Sequence, residues 1–161
     1  MTRSHARKKA AVARKNLKPP VGKAHLLVVD DEVDFARMIQ RTLTQAGYRV
    51  DAAVSAAQAI TLQRKHSYDL ALVDMRMPEM TGLELLQYLK VRDRKMFVIL
   101  MTAYGSLSLG IEALRKGAIH YLAKPFKLTD LKRDVADALT RRAHYLEEQG
   151  LFTQRATLDE W

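Results

Sequence analysis

From His25 onward, short apolar runs alternate repeatedly with stretches of helical periodicity along this chain. Such alternation is typical of βα units that feed a parallel sheet. Five units are present, and their apolar runs are Leu26–Val29, Tyr48–Ala53, Leu70–Val73, Phe97–Met101 and Tyr121–Ala123. The pattern therefore predicts an α/β fold with a doubly wound, five-stranded parallel sheet.

Local signals place the helices between these strands. Ser55 with Gln58 and Thr81 with Glu84 have the spacing of helix capping boxes, and Gly47 ends the first helix. The fourth helix carries the apolar residues Leu107, Ile111 and Leu114, and it contains Gly110 in its interior. The fifth helix starts near Thr129, has an inner face of Leu131, Val135, Ala138 and Leu139, and can continue to Gly150.

Almost all of the net charge of +9 comes from the N-terminal end of the chain. Eight of the 27 Lys and Arg residues precede the first acidic residue, Asp30, which leaves 19 against 18 Asp and Glu from residue 24 onward. We therefore predict a basic, disordered arm over 1–23, a nearly neutral domain over 24–142, and an extension of the last helix with a tail over 143–161.

Three interpretations of the basic arm stay open. It can be a solvated tail that aids solubility. It can attract nucleic acid through phosphate contacts, without sequence preference. It can also bind an anionic membrane surface or an acidic protein face. Tyr145 and Leu146 of the helix extension, with Phe152 and Trp161 beyond, can support a homodimer, bind a partner, or fold back on the domain.

Composition excludes several classes of protein. The chain has no cysteine, so disulfide frameworks, thiolate zinc sites and thiol catalysis are excluded. No apolar stretch is long enough to span a membrane and no signal-peptide pattern is present, so we expect a cytoplasmic protein. The five histidines show no metal-ligand spacing, and no strand is followed by a Walker A or GxGxxG sequence.

Polar side chains follow four of the predicted strands. Asp30 and Asp31 follow the first strand, Asp74 the third, Thr102 the fourth and Lys124 the fifth. In a sheet of order 2-1-3-4-5 these strand ends are neighbours spaced by about 4.8 Å, and Lys124 starts about 10 Å from Asp74, a distance that its side chain can largely cross. The pattern favours a single polar crevice at this edge of the sheet.

Three carboxylates in one crevice need a cation. At about 5 Å and an effective dielectric near 20, each pair repels by about 3 kcal/mol. Oxygen ligands without His or Cys favour Mg²⁺, which accepts a phosphate as a further ligand. A carboxylate can also attack phosphorus and form an aspartyl phosphate, with a metal, a lysine and a hydroxyl neutralising the transferred group.

Each of these residues also has an ordinary explanation. Asp30 and Asp31 can simply cap a helix, Asp74 can precede a turn, and Thr102 and Lys124 are unremarkable at strand ends. Their joint placement at neighbouring strand ends favours a phosphoacceptor site. Tyr121 on its own would be assigned to packing.

Four segments of the sequence together resemble the receiver domain of bacterial two-component response regulators. These segments are Val28–Glu32, Val73–Gly82, Met101–Gly105 and Gly117–Phe126. They occur in family order and at about family spacing, within residues 24–142. The pattern is most similar to receivers that are attached to enhancer-binding transcription factors.

The resemblance implies a flavodoxin-like receiver fold of strand order 2-1-3-4-5 and a set of residue roles. Asp74 would be the phosphoacceptor. Asp31 and Asp74 would bind Mg²⁺ directly with the backbone carbonyl of Arg76, and Asp30 would act mainly through water. Thr102 and Lys124 would contact the phosphoryl group, with a cis peptide between Lys124 and Pro125. Tyr121 would change rotamer when Thr102 is drawn toward the phosphate.

The resemblance also implies partners and a mode of action. A histidine kinase or phosphotransfer protein would supply the phosphoryl group, and the face formed by helix 4, strand 5 and helix 5 would dock to an output protein. We expect a phosphorylation-controlled switch that is not a turnover enzyme and acts by docking, because little chain follows Leu146. Two residues depart from the family pattern, His120, where relatives commonly have Asp, and Gly110. Both lie in the region that would form the output face, so they would bear on partner choice rather than on the chemistry.

Two alternative functions stay open at this stage. The chain can be an adaptor or scaffold with a receiver fold that acts through its basic arm and tail. It can also be the N-terminal fragment of a longer transcriptional regulator, with the extended fifth helix as a linker.

Overall fold

A computed structural model describes residues 24–103 and 105–150 of the chain. The strands are β1 (His25–Val29), β2 (Arg49–Ala53), β3 (Leu70–Asp74), β4 (Phe97–Thr102) and β5 (His120–Ala123). The helices are α1 (Val33–Gln45), α2 (Ala56–Lys65), α3 (Gly82–Arg92), α4 (Leu107–Arg115) and α5 (Leu128–Glu148). The predicted arm over 1–23 and the tail from 151, with Phe152 and Trp161, lie outside the described residues.

The five strands form one parallel sheet of order β2-β1-β3-β4-β5. This confirms the predicted fold class and strand order. The order reverses between β1 and β3, where Val29 lies beside Val73. The carboxyl ends of β1 and β3 therefore open into the crevice at which ligands bind in doubly wound sheets.

Both faces of the sheet are covered, so β1 and β3 are buried along their whole length. Leu27, Val29 and Val73 point toward α2, α3 and α4, in one buried cluster. Leu26, Val28 and Leu72 point toward α1 and α5, in a second. Alternate residues of one strand thus serve two cores, which fixes the register and with it the position of the residue that follows each strand.

The predicted caps form at the starts of the helices. The Ser55 hydroxyl accepts a hydrogen bond from the Gln58 N–H, and Thr81 and Glu84 form a complete capping box. After α1, Gly47 adopts a φ of 101°, in the left-handed region that favours glycine. These local signals were correct because they depend only on residues close in sequence.

The larger apolar residues of α4 do not face the sheet. Leu107, Ile111 and Leu114 have exposed fractions of 78%, 42% and 50%. The face that packs on the sheet is formed by Gly110 and Ala113. A β-carbon added at Gly110 would lie 2.9 Å from Cζ and 3.0 Å from Cδ1 of Tyr121, so only glycine lets the helix approach this ring.

The last helix is long, as the sequence predicted, although it ends at Glu148 rather than Gly150. All four predicted inner-face residues are buried, and so is Leu146. The Tyr145 ring packs against Phe97, with 5.7 Å between ring centroids. The described part of the extension therefore packs against the domain as a continuation of α5. Among the described residues, no helix has the length and apolar character that crossing a membrane requires.

We predict that Gly110→Ala destabilises the protein by about 1 kcal/mol, as measured by urea unfolding. Alanine is the better helix former by about 1 kcal/mol, but forcing a methyl group into a packed contact costs about 1 to 3 kcal/mol. In a Tyr121→Ala background the clash is absent, and the same substitution should stabilise by about 0.5 to 1 kcal/mol. A stabilising effect in both backgrounds would contradict the close contact.

Candidate functional site

The three predicted carboxylates meet at the carboxyl ends of β1 and β3. Asp30 is fully buried, Asp74 is buried and Asp31 is exposed. One carboxylate oxygen from each lies within 4.8 Å of the others. The crevice inferred from the strand ends is therefore a compact acidic pocket with one side open to solvent.

Lys124 reaches this pocket from β5. Its Nζ donates to Asp30 Oδ2 at 2.7 Å and to Asp74 Oδ1 at 3.0 Å, and its side chain is only 13% exposed. The Lys124 N–H donates to the Thr102 carbonyl at 2.7 Å, and the peptide between Lys124 and Pro125 is cis. The lysine thus lies between the two buried carboxylates, as its position after β5 suggested.

The capping explanation for Asp30 does not account for its contacts. The N-cap residue of α1 is Glu32, which makes no side-chain cap hydrogen bond. Asp30 Oδ1 accepts from the Glu32 N–H at 2.9 Å, while the other oxygen pairs with Lys124. One oxygen therefore fixes the loop after β1 and the second contributes charge to the pocket.

The loop after β3 is tightly anchored behind Asp74. The Met75 N–H donates to the Met101 carbonyl at 2.7 Å, and the Gly82 N–H donates to the Met75 carbonyl at 2.8 Å. A β-carbon at Gly82 would lie 2.8 Å from the Met75 α-carbon, a distance that packed atoms do not allow. Glycine at this position lets the start of α3 pass directly behind the loop and fixes the direction of Asp74.

The electrostatics of the pocket follow from burial and from its charges. Burial, with repulsion from Asp30 and Asp31, raises the pKa of Asp74 to about 6, although the hydrogen bond from Lys124 opposes this. Burial alone would lower the pKa of Lys124, but the hydrogen bonds to Asp30 and Asp74 outweigh it and raise that pKa. The ammonium group therefore stays charged, whereas Asp74 takes up a proton just below neutral pH.

The remaining predicted residues lie in β4, in β5 and in the loop after β3. Thr102 is buried at the end of β4, whose Met101 is the register partner of Asp74. Arg76 is exposed two residues after Asp74, in the loop that leads to α3. Tyr121 lies beside Leu100 in β5, half-buried against α4. The roles assigned to these residues stay predictions.

One neighbour of the pocket was missed from the sequence. Phe35, an apolar residue in the first turn of α1, places its ring 4.2 Å from Lys124 Nζ, measured to the ring centroid. The ring also packs edge-on against Phe126, with centroids 5.9 Å apart. A sequence signal existed, because Phe35 lies one helical turn after the aspartate pair, but the same spacing fits any core residue.

The donor set suits a hard divalent cation. Three carboxylates converge, and no His or Cys takes part among the described residues. Oxygen ligands of this kind favour Mg²⁺ over softer transition metals, and the exposed side at Asp31 leaves room for water or phosphate ligands. The residues present therefore fit the metal that the sequence suggested.

Comparison with known sequences finds a matching family model and similar curated proteins. The family model of the response regulator receiver domain matches residues 26–136. The transcriptional regulatory protein ZraR of Klebsiella oxytoca is 40% identical over 114 residues, which cover 71% of this chain and 26% of that protein. The sporulation initiation phosphotransferase F of Bacillus subtilis is 34% identical over 119 residues, covering 74% of this chain and 96% of that protein.

Solved structures show the same fold. A CheY-like receiver domain protein of Methanospirillum hungatei superimposes with a TM-score of 0.73 at 28% identity, covering 77% of this chain and 99% of that one. NtrX of Brucella abortus gives a TM-score of 0.76 at 28% identity, covering 80% of this chain and 29% of that one. The chain thus spans about a quarter of the length of ZraR and nearly all of the length of the smaller relatives.

We predict that Asp74→Asn stabilises the metal-free protein by about 1 to 3 kcal/mol at pH 8. Because the folded state raises the pKa of Asp74 from 3.8 to about 6, the ionised carboxylate destabilises the fold above pH 6. This penalty disappears as the pH falls from about 6 toward 4, so the difference between the variants should vanish there. Urea unfolding of both proteins at several pH values measures this difference. Asp31→Asn, at the exposed carboxylate, is the control and should have a smaller effect. A difference in unfolding free energy that does not change with pH would contradict the prediction.

Proposed function

Because this chain belongs to the response regulator receiver domain family of two-component signal transduction, we propose that it is a phosphorylation-controlled switch in which Asp74 accepts the phosphoryl group. The observation that carries the proposal is the placement of a buried carboxylate between a lysine and two further carboxylates. Family members receive phosphoryl groups from histidine kinases or phosphotransfer proteins, and we propose such a donor here.

The proposed step is a displacement at phosphorus. An oxygen of ionised Asp74 attacks the phosphorus atom of a phosphohistidine, and a P–O bond forms while the P–N bond breaks. The electron pair of that bond goes to the imidazole nitrogen, and the product is an aspartyl phosphate. Lys124, already 3.0 Å from Asp74, is placed to hydrogen-bond a phosphoryl oxygen. The hydroxyl of Thr102 is the second proposed donor to this group.

We propose that Mg²⁺ is the cofactor. Asp31 and Asp74 with the backbone carbonyl of Arg76 would hold it directly, and Asp30 would act through water. When bound, the ion neutralises negative charge on the transferred group. Lys124 alone cannot balance the pocket, because one ammonium group faces three carboxylates.

Output is proposed to occur at the face formed by α4, β5 and α5. Tyr121 would change rotamer as Thr102 is drawn toward the phosphate, and Tyr121 directly supports α4 at Gly110. Leu107 and Leu114 on the outer side of α4 offer apolar surface for an output protein. The protein would then act by docking rather than by turnover, although its aspartyl phosphate can hydrolyse.

We predict that Mg²⁺ stabilises the wild-type protein, by about 2.7 kcal/mol at a concentration 100 times its Kd. The reason is that the ion binds the folded pocket and not the unfolded chain. Asp31→Asn and Asp74→Asn should lose most of this effect, and Asp137→Asn on α5 should retain it. A chelator-controlled thermal unfolding series measures the difference. Equal stabilisation of all four proteins would argue against the proposed ligands.

We also predict that a small acyl phosphate donor with Mg²⁺ adds one phosphoryl group to the wild-type protein and none to Asp74→Asn. Asp74 carries the nucleophilic oxygen, and an amide cannot replace it. Intact-mass spectrometry measures the product, with Asp137→Asn as the control that stays reactive. A wild-type protein that stays unmodified, or a modified Asp74→Asn, would refute the proposed function.

A further inference from the structure

The ammonium group of Lys124 has an aromatic neighbour as well as two carboxylates. The centroid of the Phe35 ring lies 4.2 Å from Nζ, well inside the roughly 6 Å range of cation–π attraction. Phe35 is half-buried in the first turn of α1, directly after the loop that carries Asp30 and Asp31. The ring and the acidic pair therefore come from one short segment of chain.

The two carboxylates use only two of the three N–H donors of the Lys124 ammonium group. An ammonium group has three N–H donors, and two of them go to Asp30 and Asp74. The lysine stem is flexible, with four carbons between the backbone and the charge. Without a further contact, the group can rotate away from Asp74 toward water while it keeps one ion pair.

A second aromatic residue holds the ring in place. Phe126, two residues after Lys124, packs edge-on against Phe35 with centroids 5.9 Å apart. Both rings join the apolar cluster between the sheet and helices α1 and α5. Phe35 is therefore supported on its far side by the segment that carries the lysine.

From this geometry we propose that Phe35 is a positioning residue, which holds the ammonium group of Lys124 against Asp30 and Asp74 and thereby speeds phosphoryl transfer to Asp74. The rate effect rests on the proposed function, whereas the positioning itself does not. Cation–π attraction of the usual size corresponds to a factor of about 2 to 30 in rate or population.

The simpler explanation is that Phe35 only fills space in the core. Phe35→Leu and Phe35→Tyr separate the two explanations, because leucine keeps an apolar side chain without a π face and tyrosine restores the face. Phe97→Leu is the matched control, since Phe97 is also half-buried and its ring centroid lies 5.5 Å from Nζ of Lys90, but it is at the amino end of β4, whereas the pocket is at the carboxyl ends of the strands.

The first measurement is the rate of transfer from a small acyl phosphate with Mg²⁺. We expect Phe35→Leu to be about 2 to 30 times slower than the wild-type protein, and Phe35→Tyr and Phe97→Leu to differ from it by less than about twofold. In a Lys124→Gln background, Phe35→Leu should have no further effect. An unchanged rate in Phe35→Leu, or the same loss in both backgrounds, would overturn the proposal.

The second measurement needs no phosphoryl donor. Nitrogen-15 relaxation of the Lys124 ammonium group gives the order parameter of its Cε–Nζ bond, which should fall in Phe35→Leu and stay at the wild-type value in Phe35→Tyr. An unchanged order parameter in Phe35→Leu would refute the positioning. If the wild-type protein accepts no phosphoryl group but the order parameter falls as expected, the proposed function fails and the positioning of Lys124 stands.

Discussion

The ion pairs of Lys124 are the interaction on which the rest of the site depends. Two buried carboxylates beside each other repel strongly in a medium of low dielectric, and burial of either without a cation is unfavourable. Lys124 contacts both, at 2.7 Å to Asp30 and 3.0 Å to Asp74. The lysine balances only part of the negative charge. The result is a pocket whose oxygen donors suit a divalent cation, and a carboxylate, Asp74, with a raised pKa.

The fold places these charges together through short-range backbone contacts. β1 and β3 are neighbours at the point where the strand order reverses, so Asp30 and Asp74 leave the sheet side by side. The loop after Asp74 is tied to β4 through Met75, and Lys124 is tied to β4 through the carbonyl of Thr102. These hydrogen bonds give the charged side chains fixed starting points, which is a condition for preorganised electrostatics.

The receiver resemblance drawn from the motifs is confirmed by the family match, and the strand order by the sheet. The convergence of Asp30, Asp74 and Lys124 was predictable because residues that end neighbouring parallel strands share one edge. The orientation of α4 was not predictable in this way. Its larger apolar residues at 107, 111 and 114 are exposed and the helix packs through Gly110 and Ala113, because the bulk at that contact comes from Tyr121 on the sheet.

The helices, strands and caps and the residues of the acidic site were predictable from the sequence, because they follow from periodicity, from neighbours within one helical turn and from strand ends. Contacts between side chains far apart in sequence depend instead on how the helices pack on the sheet. The contact of Phe35 with Lys124 and the fit of Tyr121 against Gly110 are of this kind. An apolar residue in the first turn of a helix gives the same sequence pattern whether its side chain packs in the core or against an ammonium group. The two cases differ only in which distant residue the fold places beside it.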